Sequence, residues 1–156
     1  MRVLALDVGE RRTGVAISDP TGTLARPLRS LEHASRGEVF AAVAALVAEH
    51  GVDVIVVGQP IGLDGTEGPQ AQRMARYAEA MAAQIPLEVI LWDESLTTVT
   101  AEEIMRQTRS EKKRRRARGN GELDSFAAAV ILQSYLDSRH RDDHLAQDDR
   151  QLRAEG

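Results

Sequence analysis

The N-terminal part of the chain carries three short apolar runs separated by polar turns, at residues 2–7, 13–18 and 24–31. Runs of this length bounded by glycine, proline and aspartate are typical of β-strands, and the short turn between Gly9 and Gly14 suits a hairpin. Pro27 falls inside the third run and cannot donate a ladder hydrogen bond. The pattern therefore predicts three consecutive strands, the third of them at a sheet edge.

The rest of the chain alternates between helical and strand patterns. Ser35 and Glu38 form a capping box ahead of apolar residues at helical spacing, and Gly51 is placed to end that helix. Two aliphatic runs without polar alternation, at residues 53–58 and 87–92, predict strands covered on both faces. Further helices are predicted at residues 69–84, from residue 98 or 100 to about 107, and at residues 122–136.

This order of elements predicts an α/β fold with a central mixed five-stranded sheet flanked by helices. Right-handed crossovers would make the first strand and the two buried strands run in the same direction in the middle of the sheet. Residues 1–138 then form one domain. Residues 139–156 form a charged tail with few apolar side chains, which we expect to be flexible.

Composition excludes several classes of protein. The 156-residue chain is 42% hydrophobic and 28% charged, an ordinary globular balance. The absence of cysteine excludes disulfides, zinc–thiolate sites and cysteine nucleophiles. No apolar run approaches the roughly 18 residues that a membrane span needs. Because Asp7 interrupts the first apolar run, the N-terminus is interpreted as a strand and not as a signal peptide. These features predict a cytoplasmic protein with no membrane partner.

Basic residues are concentrated in one segment, although the net charge of the chain is −4. Such a cluster can dominate the local electrostatic field and attract nucleic acid. It comes shortly before Asp124 in the sequence, so we expect it to lie over a site formed there. A solvated loop is the plain alternative. Aromatic residues make up only 3% of the chain, so base stacking is not expected. The candidate nucleic-acid-binding residues of this segment are Lys112, Lys113, Arg114, Arg115, Arg116 and Arg118.

Three acidic residues are candidates for a metal site. Asp7 and Glu94 arrive at the carboxyl edge of the predicted sheet, where ligands collect in open α/β folds. Asp124 lies in the first turn of the last predicted helix and can join them if that helix begins over the same edge. Grouped carboxylates repel each other unless a cation neutralises them, and oxygen-only ligands favour Mg²⁺ or Mn²⁺. Two such ions about 4 Å apart can activate water for phosphodiester hydrolysis.

Plainer interpretations stay open for the same residues, because an acid at a strand end is often a cap or a turn residue. Asp93 competes with Glu94, since successive strand residues face opposite ways and only one of the two can enter the site; we choose Glu94. Arg11 and Arg12 lie in the turn beside Asp7 and are candidates to hold a phosphate. For the two arginines taken alone, a solvated hairpin tip is the simpler interpretation.

The glycine-rich loop at residues 58–65 follows a buried strand at the same edge, where loops commonly bind ligands. It lacks the Lys-Ser/Thr ending of a phosphate-binding P-loop. His140 and His144 have the spacing of metal ligands on a helix, but they lie in the polar tail without further ligands. We expect both histidines to be exposed.

Four ordered stretches resemble the YqgF/RuvX family, described as Holliday junction resolvases and as pre-16S ribosomal RNA nucleases. They are LDVGERRTGVA at residues 6–16 with SDP at 18–20, VGQP and LDGTEGP at 57–60 and 63–69, DESLTT at 93–98, and LDSFAAAVILQ at 123–133. The match runs from residue 2 to about residue 136. The resemblance implies a ribonuclease H-like fold, metal-dependent hydrolysis of nucleic acid, and an acidic triad of Asp7, Glu94 and Asp124.

The sequence departs from the family pattern at three positions. Gln59 stands where an apolar residue is expected, and Ser95 stands where arginine is common. Ala127 stands where the junction-resolving branch usually has a second acid on the last helix, which weakens the resemblance to that branch. A fourth metal ligand would then come from elsewhere or be water.

The leading hypothesis is a nuclease that uses Mg²⁺ or Mn²⁺ to process the 5′ end of pre-16S ribosomal RNA. One alternative is a Holliday junction or single-stranded DNA nuclease in DNA repair, which on a symmetric junction would act as a homodimer. Another is a non-catalytic nucleic-acid-binding factor in transcription or ribosome assembly. A sugar kinase also begins with an Asp-containing glycine turn, but it needs a second lobe for which 156 residues leave no room.

Overall fold

The computed structural model of the chain describes residues 1–33, 35–59, 68–93 and 122–155. Several predictions concern residues outside these ranges. They are most of the glycine-rich loop, the helix at about 98–107, the basic segment at 112–118, and Glu94.

Five strands and three helices make up the described residues. They are β1 (Val3–Val8), β2 (Arg12–Ser18), β3 (Ala25–Glu32), α1 (Arg36–His50), β4 (Val54–Gln59), α2 (Pro69–Gln84), β5 (Glu88–Asp93) and α3 (Glu122–Glu155). The strands form one sheet in the order β3-β2-β1-β4-β5. The pairs β1–β2 and β2–β3 are antiparallel, whereas β1–β4 and β4–β5 are parallel. The predicted α/β architecture with a mixed five-stranded sheet is confirmed.

The position of β5 corrects the prediction that three parallel strands fill the middle of the sheet. The three strands β1, β4 and β5 do run in the same direction, but β5 lies at an edge of the described sheet. Every residue of β4 is buried, whereas the residues of β5 are half-buried or exposed. A short aliphatic run is compatible with either position, and so the sequence did not distinguish a central strand from a partly covered edge strand.

The alternation of side chains along β1 divides the core into two layers. Leu4 and Leu6 belong to the buried cluster that includes side chains of α1 and α2. Val3 and Ala5 belong to the cluster on the opposite face, which α3 covers. Asp7 is the next residue of β1 on this second face, because residues two apart in a strand share a side. The strand therefore carries the Asp7 carboxylate to the layer between the sheet and α3.

Local signals set the ends of α1 as predicted. The Ser35 side chain accepts a hydrogen bond from the backbone N–H of Glu38 at 3.3 Å. Gly51 ends the helix in the left-handed conformation with φ 65°. The helix predicted at residues 69–84 is found as α2, and an apolar stripe along it and just beyond it is buried: Met74, Ala78, Met81 and Ile85.

The strand β3 lies at the other edge of the sheet, as Pro27 predicts. Pro27 is paired with Ala16, and the next pair joins Arg29 to Val15, so that Leu28 is an extra residue on β3. This β-bulge shifts the pairing of all later residues of β3 by one position. It therefore decides which residue of β3 lies opposite the beginning of β2.

The last helix is longer than the sequence analysis predicts. Its predicted end at residue 136 is wrong, because α3 continues to Glu155. No glycine or proline interrupts residues 122–155, so nothing in the local sequence stops the helix before Gly156. His140 and His144 lie on this extension and are exposed, as expected. None of the described helices combines the length and the apolar character needed to cross a membrane.

Candidate active site

Asp7 lies near the end of β1, paired with Gly14 of β2, and its side chain is half-buried. Burial raises the pKa of this carboxyl, and the negative charge of Asp124 raises it further. The structure thus brings together two of the three acids that the sequence singles out. One of them comes from the first strand of the chain and the other from its last described helix.

The start of α3 rests directly on Gly14. A Cβ atom at this position would lie 1.8 Å from the carbonyl oxygen of Asp124 and 2.9 Å from the backbone nitrogen of Ser125. Any side chain at residue 14 would collide with the helix backbone, so the glycine allows α3 to approach the sheet here. Because Gly14 is paired with Asp7, this contact delivers Asp124 to the neighbourhood of Asp7.

Ser30 of β3 flanks Gly14 on the side away from Asp7. It is paired with Gly14 across the strands, and its hydroxyl donates a hydrogen bond to Asp124 Oδ2 at 3.2 Å. Asp7, Gly14 and Ser30 therefore form a row across β1, β2 and β3, and Asp124 lies over this row. No sequence pattern marks Ser30, because the bulge in β3 sets its register and leaves no distinct signal in the sequence.

Asp93 does not share the face of Asp7. It ends β5, and the alternation of that strand places it on the side of Val89, which packs in the core layer of α1 and α2. Trp92 packs in the other layer, with α3. The register therefore directs Asp93 away from the two described acids, while Glu94 lies outside the described residues.

Arg11 and Arg12 lie at the tip of the β1–β2 hairpin, beside an open cavity of about 600 Å³ that His33 and Glu38 also line. The backbone N–H of Gly9 closes the turn by donating to the carbonyl oxygen of Arg12 at 2.9 Å. The Arg12 guanidinium forms an exposed ion pair with Glu32, its cross-strand partner, at 3.4 Å. The hairpin thus presents two exposed cations beside this cavity. The predicted basic residues at 112–118 lie outside the described ranges.

The donor set around Asp7 and Asp124 fits a divalent cation. Burial of Asp7 is the main reason for its raised pKa, and the negative charge of Asp124 adds to it. Carboxylate oxygens are hard ligands of the kind that Mg²⁺ and Mn²⁺ prefer, and a cation there would relieve the repulsion between the two acids. Among the described residues, no three histidine, cysteine, aspartate or glutamate side chains gather around one point. The third predicted ligand, Glu94, is not among them.

The structure describes two of the three positions at which the sequence departs from the family pattern. Gln59 ends β4 and is only 9% exposed, in register with Asp93 of β5. Ala127 lies one helical turn after Asp124 and is half-buried, so α3 carries no acid at that position. Ser95 lies outside the described residues.

Comparison with known sequences identifies relatives along most of the chain. The family model described as RuvX, Holliday junction resolvase, matches residues 1–138. A protein of Syntrophus aciditrophicus is 43% identical over 138 residues, which cover 88% of this chain and 89% of that protein. A protein of Geobacillus thermodenitrificans is 44% identical over 142 residues, which cover 89% of this chain and 99% of that protein. Both carry the name "Putative pre-16S rRNA nuclease".

Solved structures share the fold at low sequence identity. Thermus thermophilus RuvC in complex with a Holliday junction substrate matches with a TM-score of 0.57 and 14% identity, covering 90% of this chain and 96% of that chain. The Holliday junction resolvase of fowlpox virus matches with a TM-score of 0.52 and 14% identity, covering 88% of this chain and 99% of that chain. At this level of identity the likeness shows the fold alone, and the expected ribonuclease H-like architecture is confirmed.

Proposed function

The chain belongs to the RuvX family of Holliday junction resolvases, and we propose that it is a divalent-metal-dependent nuclease whose main substrate is the precursor of 16S ribosomal RNA. Relatives that are 43% and 44% identical carry the name of a pre-16S rRNA nuclease. The family description and the names of these relatives both refer to enzymes that cut nucleic acid. Hydrolysis of phosphodiester bonds is the activity they have in common.

The convergence of Asp7 and Asp124 on one face of the sheet is the observation that carries the metal dependence. Burial and the charge of Asp124 both disfavour the ionised form of Asp7, and so its pKa is raised. Bringing two carboxylates together in this way destabilises the folded chain unless a cation joins them. Binding of Mg²⁺ or Mn²⁺ between the two carboxylates would offset their repulsion, which explains why the fold brings them together.

Each group of residues has a defined role in the proposed reaction. Asp7, Glu94 and Asp124 hold the metal through carboxylate oxygens. When bound, the divalent ion supplies activation of the attacking water and stabilisation of the charge that develops on the scissile phosphate. Arg11 and Arg12 bind phosphate oxygens of the strand beside the acids through charge-assisted hydrogen bonds. Partial exclusion of water around Asp7 strengthens its attraction for the cation.

The register of β5 argues against Asp93 as the third metal ligand and leaves Glu94 as the proposed one. Ile90 and Trp92 both pack in the layer between the sheet and α3. Alternate residues of a strand share a face, so Asp93, one residue after Trp92, does not belong to this series. The same alternation directs Asp93 to the opposite layer, away from Asp7.

Cleavage of four-way DNA junctions is a second candidate. The family model carries that description; of the solved proteins with this fold, one is a Holliday junction resolvase and another was solved with a Holliday junction substrate. The alanine at position 127 argues against it, because the junction-resolving branch usually has a second acid there. Symmetric cutting of a junction would also require a homodimer. The basic residues 112–118 would contact phosphates in either substrate.

Cleavage of end-labelled substrates tests the proposal. Wild type, Asp7→Asn and Asp124→Asn would be compared on a pre-16S rRNA fragment, a single-stranded DNA and a four-way junction, each with Mg²⁺, Mn²⁺ or chelator. Asp142→Asn is the matched control, because Asp142 is exposed on the same helix as Asp124. We expect wild type and the control to cut the RNA only with metal, and both site variants to be inactive.

The other outcomes have distinct meanings. Cleavage at the wild-type rate by Asp7→Asn, or undiminished cleavage in chelator, would contradict the metal-dependent mechanism. Cleavage of the junction alone would assign the second candidate. Binding of nucleic acid without any cleavage would favour a non-catalytic binding factor.

A further inference from the structure

We propose that Ser30 is a positioning residue of the metal site, whose hydroxyl holds the Asp124 carboxylate in place beside Asp7. Nothing in the sequence motifs points to this serine. The inference rests on the proposed function, because it assigns Ser30 a role toward the same metal-binding acids. Its basis is the hydrogen bond of 3.2 Å from Ser30 Oγ to Asp124 Oδ2.

The backbone geometry places Ser30 where it can act on Asp124. Ser30 is paired with Gly14, and Gly14 is paired with Asp7, so the three residues lie side by side on adjacent strands. Gly14 has no side chain and accepts the first turn of α3. The Asp124 carboxylate is therefore flanked by a hydrogen-bond donor on one strand and by a second carboxylate two strands away.

The bulge in β3 is what brings a serine to this position. Before the bulge, Pro27 pairs with Ala16, and after the extra residue Leu28 the pairing continues with Arg29 opposite Val15. Uninterrupted pairing would have put Arg29 opposite Gly14 in place of Ser30. Bulges next to active sites commonly redirect a side chain in this way.

The repulsion between the two acids explains why a hydrogen bond that restrains Asp124 matters. Asp7 and Asp124 repel each other, as the raised pKa of Asp7 reflects. An unrestrained Asp124 side chain would turn away from Asp7 and toward solvent before a metal arrives. A hydroxyl that donates to one carboxylate oxygen opposes this rotation. It uses one of the roughly four acceptor positions of the carboxylate, so the others stay available to a cation.

Ser30 is well suited to an outer position in the site. Its hydroxyl donates a side-chain hydrogen bond to the Asp124 carboxylate. A hydroxyl that orients a metal ligand without binding the metal typically changes metal affinity or activity by roughly 10–100-fold when it is removed. Loss of the Ser30 hydroxyl should therefore weaken the site without abolishing it.

Isothermal titration with Mn²⁺ tests the role of Ser30 without relying on catalysis. Four variants would be compared with wild type: Ser30→Ala, Ser30→Thr, which keeps a hydroxyl on a strand, Asp7→Asn, and the matched control Ser134→Ala. Ser134 lies on the same helix as Asp124, and its hydroxyl also makes a hydrogen bond to a side chain, accepting from Trp92 Nε1 at 3.2 Å. Thermal unfolding in chelator would show that each variant is folded.

The expected order of Mn²⁺ affinity follows from the geometry. Ser30→Ala should bind roughly 10–100-fold more weakly than wild type, Ser30→Thr should recover most of the loss, and Ser134→Ala should match wild type. The positioning role would be overturned if Ser30→Ala bound Mn²⁺ as tightly as wild type, or if Ser30→Ala and Ser30→Thr lost the same affinity. In either case, weaker binding of Mn²⁺ by Asp7→Asn would show that the metal site itself exists. Wild-type affinity in Asp7→Asn would overturn the proposed metal site and, with it, the role of Ser30.

Discussion

Gly14 and Asp124 touch through their backbones, so closely that a Cβ atom on Gly14 would lie 1.8 Å from the Asp124 carbonyl oxygen. This contact joins the second strand to the last described helix at the point where the acids meet. It couples the fold to the candidate site, because the position of α3 against the sheet decides where the Asp124 carboxylate lies. The hairpin motif contains the glycine, and in the tertiary fold its missing side chain allows α3 to approach β2.

Substitution of Gly14 should damage both stability and activity. In Gly14→Ala the new methyl group must push the start of α3 away from β2, and overpacking of this kind costs roughly 1–3 kcal/mol. The displacement moves Asp124 away from Asp7, so cleavage should fall together with the free energy of unfolding measured by urea denaturation. Gly37→Ala is the control, because a Cβ there would meet its nearest atom at 3.9 Å. Equal stability of the two variants would contradict the contact.

Asp7→Asn should make the metal-free protein more stable while abolishing its activity. Because the pKa of Asp7 is raised by burial and by Asp124, the ionised form destabilises the fold, and this cost grows as the pH rises through the raised pKa. The neutral amide avoids the cost, so the variant should melt at a higher temperature in chelator at neutral pH. Adding Mn²⁺ should stabilise wild type, by preferential binding to the folded state, and leave the variant unchanged. A variant that melts below wild type in chelator would contradict this account.

Removal of the Glu32 charge should strengthen binding of nucleic acid. Glu32 competes with phosphate for the Arg12 guanidinium in an exposed ion pair, and such pairs contribute roughly 1 kcal/mol or less. Glu32→Gln should therefore raise affinity by up to about fivefold, and Arg12→Ala should lower it and reduce its salt dependence. Fluorescence anisotropy at two salt concentrations measures both. Glu79→Gln, at an exposed position of α2, is the control; an equal gain there would indicate a general charge effect.

Asp19 should stabilise the protein at neutral pH and lose this contribution in acid. Its carboxylate accepts a hydrogen bond from the Thr21 hydroxyl and from the backbone N–H groups of Leu24 and Thr23, and these bonds hold its pKa well below the usual 3.8. A lowered pKa contributes stability above the unfolded-state value, and this contribution is lost as the pH falls below about 4. Asp19→Asn should be less stable at neutral pH and converge with wild type in acid. Parallel stability curves from pH 2 to 7 would contradict this role.

The parts of the fold that local sequence determines were predicted well. The cap at Ser35 and the left-handed Gly51 follow from short-range chemistry, and both are found in the structure. The unbroken aliphatic run at residues 53–58 predicted a strand covered on both faces, and every residue of β4 is buried. The edge position of β3 follows from one proline.

The parts that depend on tertiary contacts were not accessible in the same way. The hydrophobic pattern contains no sign of the bulge at Leu28, so it could not show that Ser30 lies opposite Gly14. The end of α3 was misplaced because an exposed helix without glycine or proline resembles a charged tail. The central position expected for β5 was wrong, because an aliphatic run does not show whether a strand has neighbouring strands on both sides or on one side alone. Asp7 and Asp124 were identified by position and resemblance, but their electrostatic coupling required the structure.

Anomalous diffraction from crystals grown with Mn²⁺ tests the central claim most directly, because it locates the metal without reference to substrate. We predict an anomalous peak within coordination distance of carboxylate oxygens of both Asp7 and Asp124, and no such peak in crystals of Asp7→Asn. A wild-type structure saturated with Mn²⁺ whose peaks all lie away from these two carboxylates would contradict the account.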